Sequence, residues 1–380
     1  MSTHHTRRAL IAGGGAVLGS FLVKDSVGLA GDDLSGTPSA AATPEATPEN
    51  PSGDSQNIST VGNVQLTRIH HDQNLLPDRE HSGFGSLLFD SEGKLVLHDG
   101  DKTWLYTTSL FEEPEGDRRD WYGKWISHVR EFDTRTFVSG ERKVALGLAG
   151  DDQWAVIHNV VKASDDLYVA FYSTNGGVRA AVSDRPDGLF EADPDFQIAV
   201  TEPWEERGGE EDSLESTGGH VKIDESDASL SLWLLYDSYH VDVTRGLLGW
   251  AEIRIDKRAK SVELLGKHED NPLEVLPEED YIAARAGGNV STDIRLDDNY
   301  ALFYYTRPNT ETITLTVALS TDPLFQDVTD IAELEPPLGA EEVIEKFQAY
   351  MVDDILHIIY ENKLESDHWG TGIRLYEVVE

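Results

Sequence analysis

His158-Asn159-Val160-Val161-Lys162-Ala163-Ser164-Asp165-Asp166-Leu167-Tyr168-Val169-Ala170-Phe171-Tyr172 reads as two apolar strands joined by a short acidic turn. Val, Tyr and Phe favour the half-buried pleated surface of a sheet, and Ser and Asp favour the reversal between strands. After it, Gly176-Gly177 turns the chain into a third apolar run, Val178 to Val182. The same unit recurs. It appears first as Gly83 to Phe89, the turn Asp90-Ser91-Glu92-Gly93, the run Lys94 to His98 and a third strand Thr103 to Thr108. Later copies place Gly219 to Ile223 before Leu230 to Tyr236 and Leu248 to Ile255, and Val290 to Leu296 before Tyr300 to Tyr305 and Ile313 to Leu319. The last joins Phe347 to Val352 and Ile355 to Tyr360 through Asp353-Asp354, followed by Ile373 to Val378.

The turns near Asp90, Ser164, Asp224, Asp297 and Asp353 are spaced 74, 60, 73 and 56 residues apart. A unit that cannot bury its own apolar face must stack on its neighbours, and copies of three to four strands with variable loops suit the blades of a ring. The expected fold is therefore all-β, a five-bladed β-propeller over residues 61 to 380. The only helical hint is a short turn over Glu341 to Phe347.

The first 30 residues have the order of an export signal. Thr6-Arg7-Arg8-Ala9-Leu10 precedes an apolar stretch to Val23 and a small-residue site near Gly28-Leu29-Ala30, and the paired arginines point to the twin-arginine route. The apolar stretch is shorter than the about 20 residues that a membrane span requires, so no span is expected in the mature protein. Residues 31 to 60, with Thr43-Pro44-Glu45-Ala46-Thr47-Pro48 as a sample, are too poor in apolar surface to order themselves and read as a disordered linker. An extracellular or cell-surface location follows.

Acidic residues number 70 against 31 basic ones, a formal charge of −39. No Lys or Arg run could track a phosphate backbone, so nucleic acid and anionic membranes are excluded as partners. Charge spread among ordinary apolar strands describes the solvated surface of a protein that works at high salt, where screening removes most self-repulsion, and a monomer is expected. The chain has no cysteine, which excludes disulfides and thiol catalysis.

In such a ring the innermost strands line a central funnel and their starting ends form its mouth. Alignment on the turns sends His81 and Ser82, His158 and Asn159, Glu215, Ser216 and His220, Asn289 and Asp293, and Glu345 and Gln348 to that mouth. The middle strands return there with His98-Asp99, Tyr172, Tyr236-Asp237, Tyr305-Thr306-Arg307 and Tyr360-Glu361-Asn362. Arg285 is an isolated cation among small residues, suited to a substrate acid group or to a structural ion pair. Polar groups with aromatic rings on one concave surface fit a hydroxyl-rich ligand, so carbohydrate is the expected partner. No cofactor is required; a structural divalent cation on His81, His158 and His220 is the open alternative, without a short His-x-His spacing to support it.

Over residues 65 to 380 the pattern resembles the five-bladed propeller glycosidases of glycoside hydrolase families 43 and 32. Leu167-Tyr168-Val169-Ala170-Phe171-Tyr172 and Ala181-Val182-Ser183-Asp184-Arg185-Pro186-Asp187-Gly188-Leu189-Phe190 look like the second blade of that family. The resemblance implies a first-blade carboxylate as base or nucleophile, a second-blade aspartate and a third-blade glutamate as acid. Glu215 matches the third. The first-blade position falls near His81 and Ser82 and the second near Ile157 and His158, with Asp72 the nearest upstream carboxylate. Hydrolysis needs two groups flanking the scissile bond, and a histidine can replace a carboxylate in acid–base work, which makes His158 the expected partner of Glu215. A non-catalytic ring that binds carbohydrate or serves as a surface-interaction module is the second reading.

Overall fold

A computed structural model describes residues 58–72, 75–76, 82–110, 124–148, 154–174, 177–205, 214–238, 247–275, 283–286, 294–307, 314–334, 344–365 and 368–379. The segment read as an export signal, and nearly all of that read as a linker, lie outside the described residues. The described chain is built of strands, and among the described residues no helix is long and apolar enough to cross a membrane.

The strands fall into antiparallel units in chain order. The first is β3 (Gly83–Asp90), β4 (Lys102–Leu110), β5 (Trp125–Asp133) and β6 (Lys143–Leu146). The second is β7 (Val156–Ser164), β8 (Leu167–Thr174), β9 (Gly177–Ser183) and β10 (Glu191–Ala192). The third is β11 (Leu214–Glu225), β12 (Ser229–Ser238), β13 (Leu248–Asp256) and β14 (Ser261–Lys267). In the fourth, β15 (Ala283–Ala286) and β16 (Arg295–Leu296) both pair with β17 (Asn299–Arg307), followed by β18 (Thr314–Ser320) and β19 (Val328–Glu333). The last joins β20 (Ile344–Val352), β21 (Ile355–Glu365) and β22 (His368–Val379) to β2 (Val64–Asp72) and β1 (Ile58–Val61). Thus β2 runs antiparallel to β22, and the two ends of the folded chain share one sheet. Innermost strands β3 and β7 also pair in parallel, Leu88 to Asp90 beside Val160 to Lys162.

Apolar side chains fill the seams between units in cyclic order. Tyr106, Val129, Ile157 and Ala170 pack between the first and second, and Phe171, Val169, Leu232, Leu234 and Ile253 between the second and third. Leu235, Trp250, Phe303, Tyr304, Phe347 and Leu356 join the third, fourth and last. Phe84, Leu87, Phe89, Tyr350, Ile359 and Ile373 close the last onto the first. Each fully buried side chain of this size contributes about 1.5–3 kcal/mol over its exposed state.

Four of the five acidic turns occur where the sequence places them, while at Asp224 the strand β11 runs on to Glu225 and the reversal falls between Ser226 and Ser229. Asp297-Asp298 and Asp353-Asp354 form two-residue hairpin loops with φ of 52° and 62°, and 51° and 62°. Positive φ at both central positions matches the right-handed twist of the flanking strands, and Asp tolerates it better than most residues.

Three expectations are corrected. Lys94 to His98 is no strand; it makes only single bridges, Phe89 with Leu95 and His98 with Lys102, and β4 takes the place beside β3. The cause is local: the Asp90 carboxylate accepts hydrogen bonds from the Glu92 and Lys94 amides, both at 2.9 Å, and winds the chain into a wide turn. His98-Asp99 therefore does not return to the mouth. The stretch after Leu110, to which the repeat assigns no strand, contains β5 and β6, and the hinted helical turn at Glu341 to Phe347 gives way from Ile344 to β20, because pairing with β21 satisfies its backbone.

Candidate functional site

The innermost strands share an irregularity at their starting ends. Pairing slips between Phe84 and Ser86 in β3, between Ile157 and Asn159 in β7, between Ser216 and His220 in β11, and between Ile344 and Phe347 in β20. Each slip is a bulge, which bends the strand and re-aims the neighbouring side chains. Gly85 is the extra residue of β3, and a Cβ there would lie 2.6 Å from the Ile157 carbonyl oxygen, so glycine lets β3 and β7 approach. His158 is the extra residue of β7.

Below the bulges two buried side chains cross-link four of these strands. His220 of β11 is 1% exposed, and burial pushes its pKa down, so the ring is neutral. Its Nε2 meets the Asp90 carbonyl at 2.8 Å and its Nδ1 meets the Asn159 amide nitrogen at 3.2 Å. The partners assign the tautomer, with Nε2–H donating to the carbonyl and Nδ1 accepting from the amide. Gln348 of β20 accepts from the Leu87 amide at 2.7 Å and donates to Ser86 Oγ at 3.1 Å and to the His158 carbonyl at 3.2 Å. His220 and Gln348 thus brace the innermost strands.

Above them the ends of the middle strands repeat one pattern. Tyr172, Tyr236, Tyr305 and Tyr360 are at most 3% exposed, and the residue after each, Ser173, Asp237, Thr306 or Glu361, is buried as well. The tyrosines belong to the packed seams. The Tyr236 hydroxyl donates to Glu205 Oε1 at 2.6 Å, Tyr360 Oη meets His71 Nε2 at 2.8 Å, and Tyr305 lies in the core of the fourth unit. The residues after them are chemically varied. Ser173 Oγ meets His158 Nε2 at 2.6 Å, and Glu361 Oε2 lies 3.2 Å from Lys346 Nζ. Asp237 stands opposite Glu215 in the β11–β12 register.

Glu361 reaches from the last unit onto the first. A Cβ at Gly83, the first residue of β3, would lie 1.6 Å from Glu361 Oε1, so only glycine leaves room for the carboxylate.

The other expected site residues are dispersed. Asp72 ends β2, exposed, the fourth strand counted from β20. Three strand spacings of about 4.8 Å separate it from the innermost row. Glu215, Arg285, Arg307 and Glu345 are described in backbone only: Arg285 is opposite Tyr305, Arg307 opposite Ala283, and Glu345 lies in the bulge of β20. His81, Asn289 and Asp293 lie outside the described residues. Among the described residues, no group of three or more His, Asp or Glu side chains is gathered to hold a metal.

The sequence sends Glu361 to the mouth beside Tyr360 without giving it a role of its own, and does not single out Lys346 or the pair Glu205 and Lys267. Glu361 follows Tyr360 as Asp237 follows Tyr236, and that recurrence was the available signal. Glu205 has none, because it lies in a loop and meets Lys267 Nζ at 2.6 and 2.5 Å only through folding.

No protein-family model matches the sequence, and no curated protein matches it. Solved structures do match in fold. One described as a complex of BT0996 with RGII aligns with 13% identity over 83% of this chain and 92% of its own, at a TM-score of 0.53. A second, described as a glycoside hydrolase, aligns with 14% identity over 79% of this chain and 88% of its own, at 0.50. An endo-arabinase from Bacteroides thetaiotaomicron aligns with 14% identity over 77% and 93%, at 0.42. The chain has the all-β fold of the propeller glycosidases.

Proposed function

We propose that this chain is an exported, salt-adapted glycoside hydrolase that acts on extracellular carbohydrate. The observation that carries the reading is the end of the fold where the innermost strands bulge. His158, Asp237, Lys346 and Glu361 are held there, three of them at 5% exposure or less, within a fold shared with a glycoside hydrolase. Buried ionisable groups gathered at one end of a scaffold are what acid–base chemistry needs and what a packing core avoids. Glycoside hydrolysis requires a group that protonates the leaving oxygen and a second that acts on the opposite face of the sugar. Glu215, beside Asp237 in the third unit, is assigned the first role. His158 is tied through Nε2 to Ser173.

Export rests on the Arg7-Arg8 signal, the high-salt setting on the charge of −39, and the ring of five units on the cyclic seams. Replacing Glu215 by Gln is expected to lower turnover on a cleaved glycan by roughly 10²–10⁴ while sugar binding persists. Turnover that survives Glu215→Gln overturns the assignment. Gly83, at the head of an innermost strand where a carboxylate is wanted, favours a second reading in which the ring binds sugar without cleaving it. That reading expects glycan binding by calorimetry with no hydrolysis across the panel.

A further inference from the structure

We propose that Glu361 is the second catalytic carboxylate, acting on the water that attacks the sugar; this rests on the hydrolase reading. Among the described residues three carboxylate side chains are buried to 5% exposure or less: Glu205, Asp237 and Glu361. Glu205 is consumed elsewhere, by Lys267, by the Tyr236 hydroxyl and by the Thr201 and Glu202 amides. Asp237 belongs to the same sheet as Glu215, as its direct partner in the backbone register. Glu361 comes from a different unit. It crosses onto the head of β3, in the space that Gly83 leaves open, and the Lys346 ammonium at 3.2 Å gives its charge a fixed direction. A carboxylate oriented by an ion pair, at 5% exposure, and lodged at the head of the first unit's innermost strand stands where the resemblance expects the base, in a unit other than that of Glu215.

In the step, the water oxygen bonds to the anomeric carbon and gives its proton to Glu361. The glycosidic C–O bond breaks, and the leaving oxygen takes the proton held by Glu215. One water is added across the bond, and proton exchange with solvent resets both carboxyl groups.

The test uses the full chain and aryl glycosides chosen from the panel that the parent cleaves. Glu361→Gln is expected to lower kcat by roughly 10²–10⁴, with KM little changed and the acidic limb of the pH–rate profile lost. Gly83→Ala keeps the carboxylate but displaces it, so turnover falls as well. In Glu361→Ala, added azide is expected to restore product release as the glycosyl azide: the azide nitrogen bonds to the anomeric carbon as the C–O bond breaks and Glu215 protonates the leaving oxygen. A merely structural Glu361 gives no azide product, and a Glu361→Gln variant with parental kcat overturns the inference while leaving the hydrolase reading intact. A parent without turnover on any glycan removes both. Should Glu361→Gln not fold, azide rescue in soluble Glu361→Ala and the Gly83→Ala rate decide the matter.

Discussion

His220 holds the main-chain carbonyl of Asp90 at 2.8 Å, joining the innermost strand of the third unit to that of the first. A hydrogen bond between units that are not neighbours in sequence passes across the middle of the fold. Its loss uncouples them. His220→Leu leaves the Asp90 carbonyl and the Asn159 amide without this partner, and Gln348→Leu does the same to Leu87, Ser86 and His158. Each change is expected to cost about 1–3 kcal/mol, the usual penalty of a buried polar group left unmatched. Urea melts measure it. Sugar affinity that collapses while stability is unchanged would show these residues to be ligand contacts after all.

The ion pair of Glu205 with Lys267 sets a second expectation. The Glu205 side chain is fully buried, Lys267 is 11% exposed, and their atoms meet at 2.5 Å. Glu205→Ala strands an ammonium group in the seam between the second and third units, with an expected loss of about 3–5 kcal/mol. Glu205→Ala combined with Lys267→Met should recover much of it, since the uncompensated charge is then gone. Denaturant midpoints for the two variants check the difference.

Acid should weaken the fold through His128. Burial, reinforced by the Arg142 and Arg130 guanidinium groups, lowers its pKa from 6.5 to about 3. The unfolded chain therefore binds this proton more readily than the folded one between those values, and stability falls as pH drops from 6.5 toward 3. Below about 3 both states are protonated and this contribution levels off. His128→Gln keeps a polar partner for Ser109 Oγ, now 3.1 Å from Nδ1, and should flatten that part of the profile. Thermal melts across the range, parent against variant, measure it.

Salt supplies the fourth. With a net charge of −39, transfer from molar salt to dilute buffer removes the screening between surface carboxylates, and the melting temperature should fall. An unchanged or higher value in dilute buffer refutes the salt-adapted reading.

The sequence alone determined the strands and the turns between most of them. Val, Ile and aromatic runs broken by Asp-Asp pairs specify hairpins locally, and Asp297-Asp298 and Asp353-Asp354 adopt the positive φ that such loops require. It also placed His158, Glu215, His220 and Gln348 near the heads of innermost strands. What it could not determine is which way those side chains work. A bulge shifts the alternation of a strand by one residue, and a bulge leaves no mark in periodicity, so His220 and Gln348 became braces. The long excursion after Asp90 hid β5 and β6 for a similar reason: Asp90 caps a wide turn with its own carboxylate, and the pairing partner then lies beyond the apparent next strand. Only the tertiary structure brought Glu361 over Gly83, 278 positions apart in the chain, because that contact exists only when the last sheet closes on the first.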